Sequence, residues 1–340
     1  MLYTILERDV KVMKTYSPPF SITNEMLQRV SNIVEKVTKL DNYQNLNRLP
    51  ILRRDNRIHS VHSSLAIEAN SLSLDQTRAI INGHQVLGPQ QEIIEVQNAF
   101  SAYEKIATTN PNSEKEFLDL HQLMTKGLVV ESGTYRRGAE GVFSGDTCVF
   151  IAPSAKLVPS LMHDLFTWLQ SNDVHPLIAS SIFHYEMVFI HPFSDGNGRM
   201  ARLWQTIILA KWKPVFEYVP IETQIQKYQQ EYYQDILDSQ KKGDSNPFIE
   251  FMLRMIDEVL KELVVKLSKE ADNLSPYVTR LLQIFNNGEC LSANEIMARL
   301  GLKSKETLRA NYLDPALENG LIKQTLPSKP TSKNQKYYKE

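Results

Sequence analysis

One break in an otherwise apolar run constrains this chain more than any other feature. Residues 177–190, LIASSIFHYEMVFI, read as a mostly buried helix, and residues 200–212, MARLWQTIILAKW, carry Leu203, Ile207, Ile208 and Trp212 at helical spacing. Joining them is HPFSDGNGRMAR, residues 191–202, with one histidine, one acid, two glycines, an asparagine and two arginines. Pro192 disfavours helical backbone at His191, so the first helix should stop there. Gly196 and Gly198 allow backbone conformations closed to other residues and leave room for a ligand. The stretch is therefore a loop that ends one helix and starts the next.

That placement suggests chemistry. The second helix opens with unpaired N–H groups and the positive end of its dipole, a ready anion site. Arg199 and Arg202 are three apart, so both project to one side of its first turn. Two guanidiniums there match a polyphosphate. Asp195 is a hard oxygen ligand suited to a Mg²⁺ that bridges phosphates. His191 can take a proton from an attacking hydroxyl near neutral pH. Phe193 reads as an anchor that fixes the loop to the core. A rival pattern shares these residues: GNGRMA (196–201) fits G-x-G-x-x-A, with Glu222 about twenty residues on. That fingerprint requires a strand running into its first glycine inside a βαβ unit, and the preceding segment here is helical. No G-x-x-x-x-G-K-[ST] occurs in the chain.

A second informative stretch is SLAIEAN, residues 64–70, within a segment where Ile58, Val61, Leu65 and Glu68 lie at helical spacing. A carboxylate among small apolar residues is costly to bury without a cation, and Arg199 and Arg202 are its obvious partners. The alternative is an exposed Glu68 near a helix end.

Elsewhere helical patterns dominate, and the chain is predicted to be mainly α. Helices are expected over 24–38, 75–82, 89–107, 116–128, 157–169, 224–240 and 246–268, with 214–220 extended and 39–50 a polar connection. His121 and His184 read as satisfied core histidines. Tyr232 and Tyr233 are either helix tyrosines or part of a nucleotide pocket. Two β-prone runs, 141–143 and 147–151, flank Ser144-Gly145-Asp146, a hairpin signal. Residues 276–285, 292–300 and 305–313 read as three short helices, with a Ser292/Glu295 capping box and Gly301 at the turn. Two strands are expected within 321–339, making a winged helix-turn-helix pattern. Five of the last twenty residues are lysines against one glutamate, which suits phosphate contact.

Residues 191–202 resemble the signature of the Fic (filamentation induced by cAMP) family, H-P-F-x-[DE]-G-N-G-R-x-x-R, at every fixed position. The resemblance implies a helical core that transfers AMP from ATP to a Ser, Thr or Tyr hydroxyl of a target protein, itself included, and that also removes AMP in many members. It implies that His191 is the general base, that Asp195 holds Mg²⁺, that Gly196, Asn197, Gly198 and Arg199 cradle phosphates together with Ser194, and that Arg202 contacts the terminal part of the nucleotide. It puts Tyr232 and Tyr233 near the adenine and makes 141–151 a flap that holds the target segment. SLAIEAN is similar to the family's inhibitory motif, [ST]-x-x-x-E-[GN], starting at Ser64. Glu68 would then pair with Arg202 and block the γ-phosphate position. Ala69 departs from that motif; in a helical segment it raises helix propensity and need not break the mechanism.

Length and composition fit this reading. The chain has 340 residues, 42% hydrophobic and 23% charged, and a net charge of −1 that gives no global pull towards nucleic acid or anionic membranes. Cys148 and Cys290, without metal-ligand spacing, suit a reducing compartment. Glu7, Arg8 and Asp9 stand where a signal peptide needs an apolar core, and no apolar run spans a bilayer, so a cytoplasmic location is expected. The expected division is 1–100, a helical region carrying an inhibitory helix at about 58–70; 101–270, the catalytic core; and 271–340, the winged-helix module. A homodimer is left open. The alternative function is a nucleotide-sensing transcriptional or toxin–antitoxin regulator acting on nucleic acid through residues 271–340.

Overall fold

The computed structural model describes residues 16–42, 50–139, 141–144, 147–273, 275–286, 288–318, 320–330 and 332–339. Residues 1–15, residues 43–49 of the polar connection and the Gly145-Asp146 turn lie outside these. The first half is helical: α1 (Asn24–Asn42), α2 (Pro50–Ile67), α3 (Leu74–Ile81), α4 (Gln90–Tyr103) and α5 (Glu114–Met124). Ser73 and Gln76 close a capping box at the start of α3, which satisfies two orphan donors reciprocally. An antiparallel pair follows, β1 (Gly141–Ser144) with β2 (Thr147–Ile151), in the register Gly141↔Ile151 to Ser144↔Thr147 with an irregularity after Val142.

Next come α6 (Val158–Ser171), α7 (Pro176–Ile190), α8 (Asn197–Trp212), α9 (Ile221–Lys227), α10 (Gln229–Lys242) and α11 (Asn246–Asn273). Two expectations change here. Pro214–Tyr218 is a 3₁₀ helix, not an extended piece; Pro214 supplies the fixed φ of a first helical turn, and Phe216 and Val215 are buried by it. The helix expected over 224–240 is two helices broken at Tyr228 (φ −112°). The break lets α9 face α2 while α10 lies along α11.

The last part holds α12 (Pro276–Gln283), β3 (Cys290–Ser292), α13 (Ala293–Leu300), α14 (Lys305–Leu308), a π-helical stretch Arg309–Leu313, α15 (Asp314–Glu318), β4 (Lys323–Gln324) and β5 (Lys336–Tyr338). The Ser292/Glu295 capping box and a left-handed Gly301 bound α13. The third helix runs on beyond Leu313 through α15, because Asp314 keeps α geometry (φ −61°, ψ −48°). The strands make a three-stranded antiparallel sheet in the order β3-β5-β4.

Two hydrophobic clusters result. One runs from Met26 to Leu263 and the other from Val278 to Tyr337. In the first, α7 and α8 lie against each other at the centre, and α7 also meets α6 and α11. Residues Leu177 to Met187 of α7 are all buried, polar ones included, as a helix apolar on every side requires. Phe117, Phe166, Phe183 and Trp204 meet edge-on at 5.0–5.9 Å around this contact. No helix among the described residues is long and apolar enough to cross a membrane.

Candidate active site

The loop between α7 and α8 is fixed at both ends. α7 stops at His191, which takes left-handed geometry (φ 51°) and gives its N–H to the Met187 carbonyl. A non-glycine residue there is strained by roughly 1–2 kcal/mol, so the surroundings must impose it. Arg136 does so. Buried to 2% exposure, it donates to the carbonyls of His191 (2.6 Å), Ile190 (3.4 Å), Pro153 (2.6 Å) and Gly138 (2.7 Å), and its own N–H reaches the Pro192 carbonyl. One guanidinium thus joins the end of α7 to the segment leaving β2. The His191 ring donates from Nδ1 to the Val188 carbonyl at 3.3 Å. A carbonyl only accepts, so this tautomer puts the lone pair on Nε2.

Inside the loop, Phe193 is fully buried and stacks on Phe117 (5.3 Å) and on His121 (3.6 Å, 3° between planes). His121 is also fully buried and fully used. Its Nδ1 accepts from the Gly133 N–H, so Nε2 carries the proton and donates to the Asp195 carbonyl at 3.0 Å. Burial pushes its pKa down to about 4, so it stays neutral. His184 is bonded to Gln205 and Tyr232 and is pushed by burial to about 3. The Asn197 side chain exchanges two bonds with the Phe193 backbone. Its amide is thus spent on closing the loop.

α8 begins at Gly196, left-handed at φ 84°, with no side chain capping the helix. Asp195, half-exposed, accepts from the Gly196 N–H (2.7 Å) and from Arg199 (2.6 Å). Partial burial raises its pKa, but the Arg199 charge and these bonds more than offset that and hold it below the ordinary range. Ser194 is exposed on the loop.

The two arginines lie buried on one side of α8. Arg202 donates to the Ser64 hydroxyl (3.1 Å), the Ser64 carbonyl (2.9 Å) and Glu68 (2.8 Å). Burial opposes its charge, yet Glu68 more than compensates and raises its pKa further. Arg199 bridges Asp195 and Glu95, the latter at 3.3 Å. Arg199 Nε and one terminal nitrogen of Arg202 are buried with no hydrogen-bond partner among the described residues. Orphan cationic donors beside an uncapped helix N-terminus are what an anion would satisfy. Glu68 covers this place from above: a methyl group on Gly198 would collide with its carboxylate.

Glu68 is not in the helix. α2 ends at Ile67, and Ala69 is left-handed (φ 66°). The N–H of Ala69 bonds the Ala66 carbonyl and that of Asn70 the Leu65 carbonyl, a Schellman turn with Ala69 where glycine is usual. Ala69 therefore lies past the helix, where helix propensity does not act, and carries strain instead. From α10, Gln229 and Tyr233 both donate to the Ile67 carbonyl (3.0 and 3.2 Å). Tyr232 is buried against His184 and interacts with Arg202 and Glu68, while Tyr233 reaches the turn itself. Glu222 is buried and takes the Tyr103 hydroxyl (2.7 Å), and with α7 running into the loop the dinucleotide pattern has no strand to start from.

Sequence reasoning missed Arg136, Glu95 and the loop-facing role of His121. A histidine inside an apolar helix announces a buried bond but not its partner. Nothing in the order of residues singles out Arg136 from Arg137, or Glu95 from Glu92.

Comparison with known proteins shows what this chain is similar to. A Fic/DOC family model matches residues 111–209, and a model described as the C-terminal domain of filamentation induced by cAMP protein Fic-like matches 276–338. Among curated relatives, protein adenylyltransferase Fic of Aedes aegypti is 30% identical over 216 residues, 60% of this chain and 41% of that protein. Protein adenylyltransferase fic-1 of Caenorhabditis elegans is 27% identical over 268 residues, 75% and 50%. The chain thus spans about half the length of the curated relatives it matches. Among solved structures, Fic-1 of C. elegans aligns over 74% of this chain and 73% of its own (25% identity, TM-score 0.58). A Fic family protein from Desulfovibrio desulfuricans aligns over 96% of this chain (43% identity, TM-score 0.73). With that identity sustained over 98% of the bacterial protein, this chain belongs to the Fic family.

Proposed function

We propose that the chain is a protein adenylyltransferase that moves AMP from ATP to a Ser, Thr or Tyr hydroxyl of a target protein, and that Glu68 holds it inhibited. The relatives' names support the activity. The observation that carries the reading is the loop's two ends: His191 fixed in a left-handed cap at one, and two buried guanidiniums with unfilled donors at the other. His191 Nε2 takes the hydroxyl proton, the oxygen attacks the α-phosphorus, the bond to the bridging oxygen breaks, and pyrophosphate leaves. The N–H groups opening α8 and Arg199 and Arg202 stabilise the developing charge. Among the described residues no group of three His, Cys, Asp or Glu could hold a metal alone. Half-exposed Asp195 fits a Mg²⁺ that takes its remaining ligands from phosphates. Bound there, Mg²⁺ would neutralise phosphate charge.

Glu68, sitting against Gly198 and Arg202, takes the space of a terminal phosphate. With it docked, the same loop suits removal of AMP from a modified target. The β1–β2 pair acts as the flap, tied to the catalytic loop through Arg136 and Pro153. The elements α12 to β5 form a winged-helix module. A second reading, binding of nucleic acid by that module, is favoured by its separate core and its lysines. Gel-shift binding that survives His191→Ala would support it.

The test is autolabelling with [α-³²P]ATP. His191→Ala should abolish it, and Glu68→Gly should raise it about ten-fold, the equivalent of removing a competing contact of ~1.4 kcal/mol. Labelling that persists in His191→Ala would sink the enzymatic reading; no rise in Glu68→Gly would sink the inhibitory one.

A further inference from the structure

α4 presents two acids one helical turn apart, Glu92 and Glu95, to the turn that follows Glu68. Glu92 accepts from the N–H and hydroxyl of Ser71, both at 2.7 Å, and its carbonyl takes the Asn70 side-chain amide at 3.4 Å. The Asn70 amide is oriented by the Leu72 N–H on its oxygen (3.1 Å), which aims its nitrogen at Glu95 Oε2 (2.8 Å). The other oxygen of the same carboxylate, Oε1, faces Arg199 at 3.3 Å.

The geometry points to Glu95 as a latch, a positioning residue whose two oxygens hold Arg199 and the Glu68 turn at once, so that loosening one loosens the other. This rests on the reading of Glu68 as inhibitory and names a second acid in that inhibition. The turn transmits because it is stiff. Asn70 N–H, Ala69 N–H and Glu68 N–H all bond back to the last turn of α2, so the place of Asn70 fixes the place of Glu68 two residues earlier. The arginine end transmits because it is exchangeable. Arg199 is held at 2.6 Å by Asp195 and only at 3.3 Å by Glu95, and its Nε has no partner among the described residues. A phosphate arriving there displaces the longer contact and repels the carboxylate that made it. The Glu95 side chain, a quarter exposed, can then swing, and Asn70 loses its acceptor. Linkage makes the effect reciprocal: an undocked Glu68 turn leaves Arg199 better able to bind phosphate.

The test uses the full chain with His191→Ala, so that bound ATP is not consumed, and measures binding of ATP with Mg²⁺ by calorimetry. In that background Asn70→Ala should tighten ATP about five-fold, the equivalent of ~1 kcal/mol for the lost hydrogen bond to the Glu95 carboxylate. Added to Glu68→Gly it should change affinity by less than about two-fold, since coupled sites are not additive. Glu95→Gln can still accept from Asn70 but drops the ion pair, and should tighten ATP about five-fold through Arg199. If Glu68→Gly tightens ATP while Asn70→Ala does not, the latch is wrong and the inhibitory reading stands. An equal effect of Asn70→Ala in both backgrounds, a lowered melting temperature with unchanged affinity, or weaker binding in Glu95→Gln would each overturn it. If Glu68→Gly itself leaves affinity unchanged, the inhibitory reading and the latch fall together.

Discussion

The two ends of the 191–202 loop are held by different kinds of contact. At the histidine end the fixing groups are backbone carbonyls and a neutral ring: Arg136 on the carbonyls of residues 190, 191 and 153, and His121 on that of residue 195. At the arginine end carboxylates take part: Glu68 on Arg202, beside the Ser64 hydroxyl and carbonyl, and Asp195 and Glu95 on Arg199. Buried carbonyls have no rival for their donor and make a permanent frame. Carboxylates occupy a place that a phosphate can take, because both are anions with the same taste for a guanidinium. On the proposed reading the base is therefore built in, while the anion site is filled by the chain's own acids until something displaces them.

The contrast is broken most severely at Arg136. Arg136→Ala strips four carbonyls of their donor and should cost about 4 kcal/mol, read as a large fall in the urea midpoint. Arg136→Lys should recover less than half, since an ammonium lacks the planar fork. A loss under about 1 kcal/mol would show that the frame is held elsewhere.

Acid separates the ends next. His121 has its pKa depressed to about 4, against an ordinary value of 6.5. Above pH 6.5 neither the folded nor the unfolded chain is protonated there, and the full stability is present. As pH falls from 6.5 towards 4 only the unfolded chain takes up the proton, so stability drops, by no more than about 3 kcal/mol, and levels off below pH 4. His184, held at about 3, acts in the same direction. His121→Gln, able to make the same two bonds, should flatten the dependence of unfolding free energy on pH between 7 and 4.5. An unchanged slope would mean that His121 is not held neutral by the fold.

The smallest effect sharpens the arginine end. Ala69→Gly removes a left-handed alanine and adds chain entropy, so it should stabilise by about 0.5–1 kcal/mol, a rise of about 1–3 °C in melting temperature. A fall would show that the turn carries no strain at residue 69.

Much of the arginine end was legible in the order of residues. The order of residues left Glu68 either paired with a loop arginine or exposed near a helix end, and it is both: it lies exposed just past α2 and meets Arg202 at 2.8 Å. The strain at Ala69 was not legible, because helical spacing continues through Glu68 and does not show where the helix stops. The break at Tyr228 escaped for a similar reason: apolar periodicity carries on across it, and the change of direction is set by which helix each half meets. The histidine end was least legible. Arg136 lies far along the chain from the carbonyls it binds, and carbonyls look alike at every position.

What local residue order settled is whatever depends on neighbours in the chain: the all-round apolar helix before His191, the proline that ends it, the glycine that opens the next helix, and the two arginines three apart. These follow from backbone sterics and helical period. What folding in three dimensions settled is which distant groups meet. Arg136 reaches 55 residues along the chain to His191 and Glu95 reaches 104 to Arg199. No local propensity encodes such pairings, since each exists only because packed helices bring one particular donor to one particular acceptor.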